Sequence, residues 1–396
     1  MNQSIDAVVA GHLCLDIIPD LSHIEPETFV SLFQPGRLLE IGPATFATGG
    51  PVSNTGLALH RLGLRISLMG KVGEDVFGDA ARRYIASIAP TLVSGMSVSA
   101  DVDTSYTVVI NPPGVDRIFL HHPGANDSFY ADDLNYELMA RSRLFHFGYP
   151  PLMRTMYENG GEELRKLFRQ ARATGVTTSL DMALPDPTSA SGRAPWPEIL
   201  DKTLPYVDIF LPSIEELLFT LRRETYEQLR QDAGGTDILP RITPELLEEL
   251  SDALHEMGVG VVLVKLGRRG LYLHTADAAR MAGMGRAAPE DATAWANLTY
   301  WAPTFQVQVV GATGAGDATI AGFLAALLRG LSPEDALNMA TAVGACNVEA
   351  ADSLSGIRSW DETRARVQAG WPKRKESLAA SGWRYHPESG LWSPEA

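Results

Sequence analysis

Short apolar runs alternate with segments of helical period over most of this chain, and that alternation limits the fold more than any other feature. "IDAVVAGHLCLDII" opens with a buried strand that turns at Gly11. A helix over about Asn54 to Leu62 follows, then a strand over Ile66 to Met69 and another helix. "LFHFGYP" is a short strand, and a helix from about Gly161 to Ala173 leads to the strand "VTTSLDM". "VDIFLPSIEELLFTL" reads as strand, turn and helix, and the stretch from Pro244 ends in the strand "GVVLVKL". Strands alternating with helices predict a parallel sheet with helices on both faces. "TSYTVVINPPGVDRIFLHHPGAND" breaks the rhythm: it alternates and turns at Pro112 to Asp116, as a hairpin does. It is expected to form a small separate sheet with parts of residues 17–48. Residues 185–197, 232–240 and 276–297 read as loops or insertions. Residues 371–396, mixed in charge and rich in aromatics, read as a tail docked on the domain of residues 1–370.

The chain has 396 residues, 45% hydrophobic and 20% charged, enough for one large core or two smaller ones. Its formal charge of −15 argues against nucleic acid, whose phosphates demand basic surface. A small phosphorylated ligand remains compatible, since it needs only a local positive site. No run of apolar residues is long enough to span a bilayer, so no membrane partner is expected. Cys14 and Cys346 are too few for a disulfide framework or a zinc site, which fits a reducing cytoplasm.

Chemistry concentrates in "VVGATGAGDATIAGFLAALLRG", residues 309–330. The expected structure is a strand over Phe305 to Val310, a glycine turn, and a helix whose apolar residues recur from Ile320 to Leu328. Backbone N–H groups of Ala315, Gly316 and Asp317 at a helix N-terminus make an anion cradle. A carboxylate in the same turn fits a base that takes a proton from a hydroxyl as a phosphoryl group arrives. No GxxxxGK[ST] loop occurs, and no GxGxxG follows the first strand, so neither a Walker site nor a dinucleotide-binding oxidoreductase is indicated.

Four stretches, in order across residues 5–370, resemble the signatures of the ribokinase-like (PfkB) carbohydrate kinases: "GGPVSNTGLALHRLG", "GKVGEDVFGD", "VDIFLPSIEEL" and "GATGAGDATIAGF". The resemblance implies a Rossmann-like three-layer α/β/α domain with a small β-sheet lid over the sugar, and transfer of the ATP γ-phosphoryl group to a hydroxyl. It implies that Asp317 is the catalytic base and that Gly314, Ala315 and Gly316 form the anion hole. Asp16, placed at the end of the first strand, matches the sugar-binding Asp, and Gly49, Gly50 and Asn54 match the GG…N that holds sugar hydroxyls. Glu216 matches the Glu of Asn-x-x-Glu, which helps place Mg²⁺ through water, with Ser213 in the Asn position. Gly267 and Gly270 match the turn that carries the nucleotide.

The chain also departs from the family. Gly311 stands where the first Asp of DTxGAGD is usual, which makes a monovalent-cation requirement doubtful. Ser213 replaces Asn, Ala183 replaces the Asn of an Asp-x-Asn strand end, and Cys14 occupies a position that is Asn in ribokinases. Two other readings stand beside a sugar kinase: a nucleoside kinase of the same family, and a non-catalytic sugar or nucleotide sensor. The resemblance also points to a homodimer through the lid.

Overall fold

The computed structural model describes residues 5–24, 35–36, 38–112, 118–374 and 382–395. The turn expected at Pro112 to Asp116 lies, but for Pro112, outside the described residues. In chain order the strands are β1 (Ile5–Gly11), β2 (Cys14–Pro19), β3 (Ala44–Gly49), β4 (Ile66–Met69), β5 (Lys71–Gly73), β6 (Ser97–Ser99), β7 (Tyr106–Ile110) and β8 (Ile118–His122). There follow β9 (Ser142–Gly148), β10 (Thr177–Asp181), β11 (Ile209–Phe210), β12 (Val261–Lys265), β13 (Leu271–Thr275), β14 (Thr299–Ala302), β15 (Trp383–His386) and β16 (Leu391–Pro394).

A ten-stranded sheet runs β15-β16-β14-β13-β12-β11-β10-β9-β1-β4. From β4 to β12 the pairing is parallel, as the alternation predicts. Successive side chains of β1 serve opposite faces, the two-residue period of a strand. Ala7 and Val9 join the core under the Pro51–Arg61 and Ala315–Leu328 helices, with Leu57, Leu59 and Phe323. Val8 and Ala10 join the other core, with Phe145, Phe147 and Phe168. Burial on both faces explains why β1 reads as a continuous apolar run rather than an alternating one.

The structure corrects three expectations. The far half of the sheet is antiparallel, because β12 returns directly through β13 and β14. Phe305 to Val310 is not a strand: Phe305 makes one isolated bridge to Lys373, and Val309 and Val310 are exposed. The strand before the glycine turn is β14, whose Trp301 and Ala302 are buried. Asp16 does not end the first strand; β1 stops at Gly11, and Asp16 sits within β2 of a second sheet. Residues 382–394, set apart in the sequence as a tail, add two strands to the central sheet, with Trp392 opposite Trp301.

The second sheet has the order β3-β2-β7-β8 and draws on the two segments expected to form a lid. Its strand β2 starts just past the carboxyl end of β1, the end of the strands at which open α/β sheets bind ligands. No described helix is long and apolar enough to cross a membrane.

Candidate active site

The carboxyl ends of the parallel strands carry most of the site. Tyr149 follows β9, Asp181 ends β10, Ser213 lies just beyond β11, and Lys265 ends β12. Opposite them the Ala315–Leu328 helix begins at Gly314, whose φ of 71° is a left-handed conformation that glycine adopts without strain. An added Cβ there would stand 2.5 Å from Cβ of Ser353. No side chain caps this N-terminus. The Ala315 N–H bonds the Ala312 carbonyl at 3.2 Å, so the cradle rests on Gly316 and Asp317, first-turn donors with no intrahelical acceptor.

Asp317 is buried, and three side chains donate to it. Asn54 Nδ2 reaches Oδ2 at 3.2 Å, Thr55 Oγ1 reaches Oδ1 at 2.9 Å, and Tyr149 Oη reaches Oδ2 at 2.9 Å. Burial raises its pKa above the ordinary carboxylate value, against the pull of these donors and of the Lys265 charge. Asn54 and Thr55 occupy the first turns of the Pro51–Arg61 helix, which is capped by Gly50 rather than by Asn54.

Lys265 extends beside this turn. Its Nζ lies 2.5 Å from Asp181 Oδ1 and 3.9 Å from Glu216 Oε2. Burial works against the Lys265 charge, but Asp181 and Glu216 outweigh it and hold the amine protonated. Ser213 and Glu216 cap their helix reciprocally: Ser213 N donates to Glu216 Oε2 at 2.6 Å, and Glu216 N to Ser213 Oγ at 3.2 Å. On the far side of the turn a cavity of about 320 Å³ is walled by Lys265, Gly267, Gly270, Ala315, Gly316 and Arg374, among others. The structure thus brings the expected nucleotide turn and the anion turn onto one cavity.

The lid closes the other side. In β2, Asp16 Oδ1 accepts from Cys14 Sγ at 3.3 Å, and burial raises the Asp16 carboxyl to about 6. Gly49 lies opposite Cys14, and a Cβ there would stand 2.7 Å from Asp16 Oδ2. Thr107 Oγ1 shares a hydrogen bond of 2.9 Å with His121 Nδ1, and the His121 ring lies 5.4 Å from that of His12. His12, Thr55, Tyr149 and Lys265 were not among the expected site residues. Only Thr55, beside Asn54 in a helix already assigned, carried a signal in the sequence.

Other charges point elsewhere. Lys71 is held by the Ser128 carbonyl at 2.6 Å and Asp133 at 3.1 Å, and Arg61 by the Leu354 carbonyl at 2.9 Å. Arg268 lines the cavity but pairs with Asp237 at 2.5 Å. Among the described residues no three His, Cys, Asp or Glu side chains converge as metal ligands. Asp181 and Glu216 beside the anion turn suit a magnesium ion that arrives with phosphates and water, since Mg²⁺ is usually held by only one or two carboxylates.

The family described as pfkB family carbohydrate kinase matches residues 6–359. A 2-dehydro-3-deoxygluconokinase of Thermoproteus tenax is 23% identical over 325 residues, covering 81% of this chain and 85% of its own. A nucleoside kinase of Methanothermobacter thermautotrophicus is 25% identical over 379 residues, covering 94% and 98%. The structure of a fructokinase with bound ATP from Xylella fastidiosa shares the fold, with a TM-score of 0.65 at 20% identity, covering 92% of this chain and 98% of that one.

Proposed function

Because the chain belongs to the pfkB family of carbohydrate kinases and transfers a phosphoryl group from ATP to a hydroxyl of a sugar-like molecule, we propose that Asp317 is the base of that reaction. The observation that carries this reading is the set of three donors fixing a buried carboxylate in the same turn as an anion cradle. Asp317 takes the acceptor's hydroxyl proton while the N–H groups of Gly316 and Asp317 meet the phosphoryl oxygens. Lys265, protonated between two carboxylates, brings a positive charge to the phosphate side. Nucleotide occupies the cavity walled by Gly267, Gly270, Ala315 and Gly316, and the acceptor lies between Asp317 and the lid, against Asp16, Gly49, Gly50 and Asn54. Mg²⁺ bound with the nucleotide would be held near Glu216 and Asp181 and would neutralise phosphate charge. The rest of catalysis is positioning and exclusion of water by the lid.

The lid sheet exposes Phe46, Ile118, Phe119 and Leu120, which supports the further proposal of a homodimer through it. A sensor that had shed catalysis would have no use for an oriented base, and this disfavours the non-catalytic reading. Asp317→Asn tests the assignment: kcat is expected to fall about 10²- to 10⁴-fold, with ATP affinity by calorimetry unchanged. Near-normal turnover would remove Asp317 from the role.

A further inference from the structure

Two buried polar groups on the acceptor side of Asp317 have nothing to bond. His12 is only 3% exposed, yet neither ring nitrogen has a hydrogen-bond partner among the described residues. Asn54 donates to Asp317 through Nδ2 and leaves its Oδ1 buried and unmatched. Buried polar atoms are nearly always paired, so unmatched ones grouped at one place point to a ligand that completes them.

The two groups share one surface. His12 follows the end of β1 and packs against Gly50, where a Cβ would stand 2.6 Å from Nδ1. Gly50 caps the helix that delivers Asn54. The Tyr149 ring lies 6.4 Å from the His12 ring, and its hydroxyl donates to Asp317. His12 therefore stands one aromatic ring away from the base. Burial, with His121 beside it, pushes the His12 pKa down to about 3, so the ring is neutral and offers one donor and one acceptor.

The charge of the surroundings narrows the ligand. The pocket proposed for the acceptor carries the carboxyl groups of Asp16 and Asp317, the rings shown beside His12 are those of His121 and Tyr149, and none of these four is a lysine or arginine. Lys71 and Lys265 are engaged with Asp133 and Asp181. A carboxylate or phosphate placed here would face two carboxyl groups without a counter-charge. A hydroxyl gives and takes a hydrogen bond, which is what a neutral imidazole and an amide oxygen require.

We propose that His12 is a hydroxyl-binding, specificity-determining residue of the acceptor pocket, and that this pocket takes an uncharged polyhydroxy acceptor in preference to a sugar acid or a sugar phosphate. The proposal deepens the kinase reading and rests on it for the identity of the pocket, but its test is binding rather than turnover. Calorimetry without nucleotide is run on wild type, His12→Leu and His12→Gln, against uncharged pentoses, hexoses, polyols and nucleosides, and against sugar acids and sugar phosphates. Binding is expected only among the uncharged probes. The Leu variant should weaken it about tenfold or more, because it strands the hydroxyl, and the Gln variant should stay within about threefold. Tightest binding by an acid or phosphate, wild-type affinity in the Leu variant, or no uncharged binder at all would overturn the proposal. If the Leu variant does not fold, ¹⁵N shifts of the His12 ring decide it on the wild-type protein: they move when the uncharged probe is added, or the proposal fails. Binding that depends on His12 without ADP formation would leave it standing and refute the kinase reading instead.

Discussion

Tyr149 holds Asp317 from a backbone conformation that a tyrosine seldom adopts, with φ at 64°. Such strain is kept where the surroundings fix it, and here it aims the hydroxyl at Oδ2. A hydrogen bond to the ionised form lowers a carboxyl pKa, so removing it raises the pKa. Tyr149→Phe should therefore move the acidic limb of the kcat–pH profile to higher pH, with a modest loss of kcat at its plateau. An unmoved limb would mean that the hydroxyl does not touch the ionised base. At this scale the proposed base and the turn around it were legible in the sequence, because glycines and an acid next to a helix start leave a pattern. It did not show His12, Tyr149 or Lys265. Each sits at the end of a different strand, and only the lateral order of the sheet brings them together. Asp16 was expected at the end of the first strand and lies instead in β2, because the turn at Gly11 leaves room for a second strand to start at Cys14.

The Ala315–Leu328 helix is buried along nearly its whole length and packs on the Pro333–Asn347 helix through small residues. A Cβ on Gly322 would lie 2.9 Å from Ala340 Cα and 3.0 Å from the Met339 carbonyl oxygen. Two effects compete in Gly322→Ala. Alanine favours a helix interior over glycine by about 1 kcal/mol, while overpacking a close backbone contact costs about 1–3 kcal/mol. The contacts are with backbone and with the Cβ of Val343, neither of which can swing aside, so packing should win. Urea denaturation is expected to show a lower midpoint; a higher one would mean the helices separate freely. Elements with a clear period were legible: β4, β10, β12 and the helix from Pro244 fall where the pattern puts them. Phe305 to Val310 was misread because an apolar run before a glycine turn looks like a strand. Phe305 and Val307 instead face the cavity and the ring of Trp371, and Val309 lines the cavity from the loop.

Across the whole molecule, the segment that leads to the last described strands is tied to the cavity beside the glycine turn. Trp371 stacks on Phe305 with ring centroids 4.6 Å apart, Lys373 Nζ lies 5.3 Å over the same ring, and Arg374 N donates to the Thr304 carbonyl at 2.8 Å. Beyond them β16 covers the edge of β14, with Leu391 fully buried. Ending the chain after Gly370 would remove Arg374 from the cavity wall and expose an apolar sheet edge. The shortened protein should melt at lower temperature and bind ATP about tenfold or more weakly, as thermal melts and calorimetry can show; unchanged ATP affinity would mean the wall is dispensable. The order of strands also has a temporal side. Ribosomes deliver β1 first and β16 near the close, while the sheet seats them far apart, with β14 waiting for a partner made some ninety residues later. A nascent chain can assemble its parallel half early, but the wall that Arg374 adds to the cavity, and the cover that β16 gives β14, come only near the close of translation.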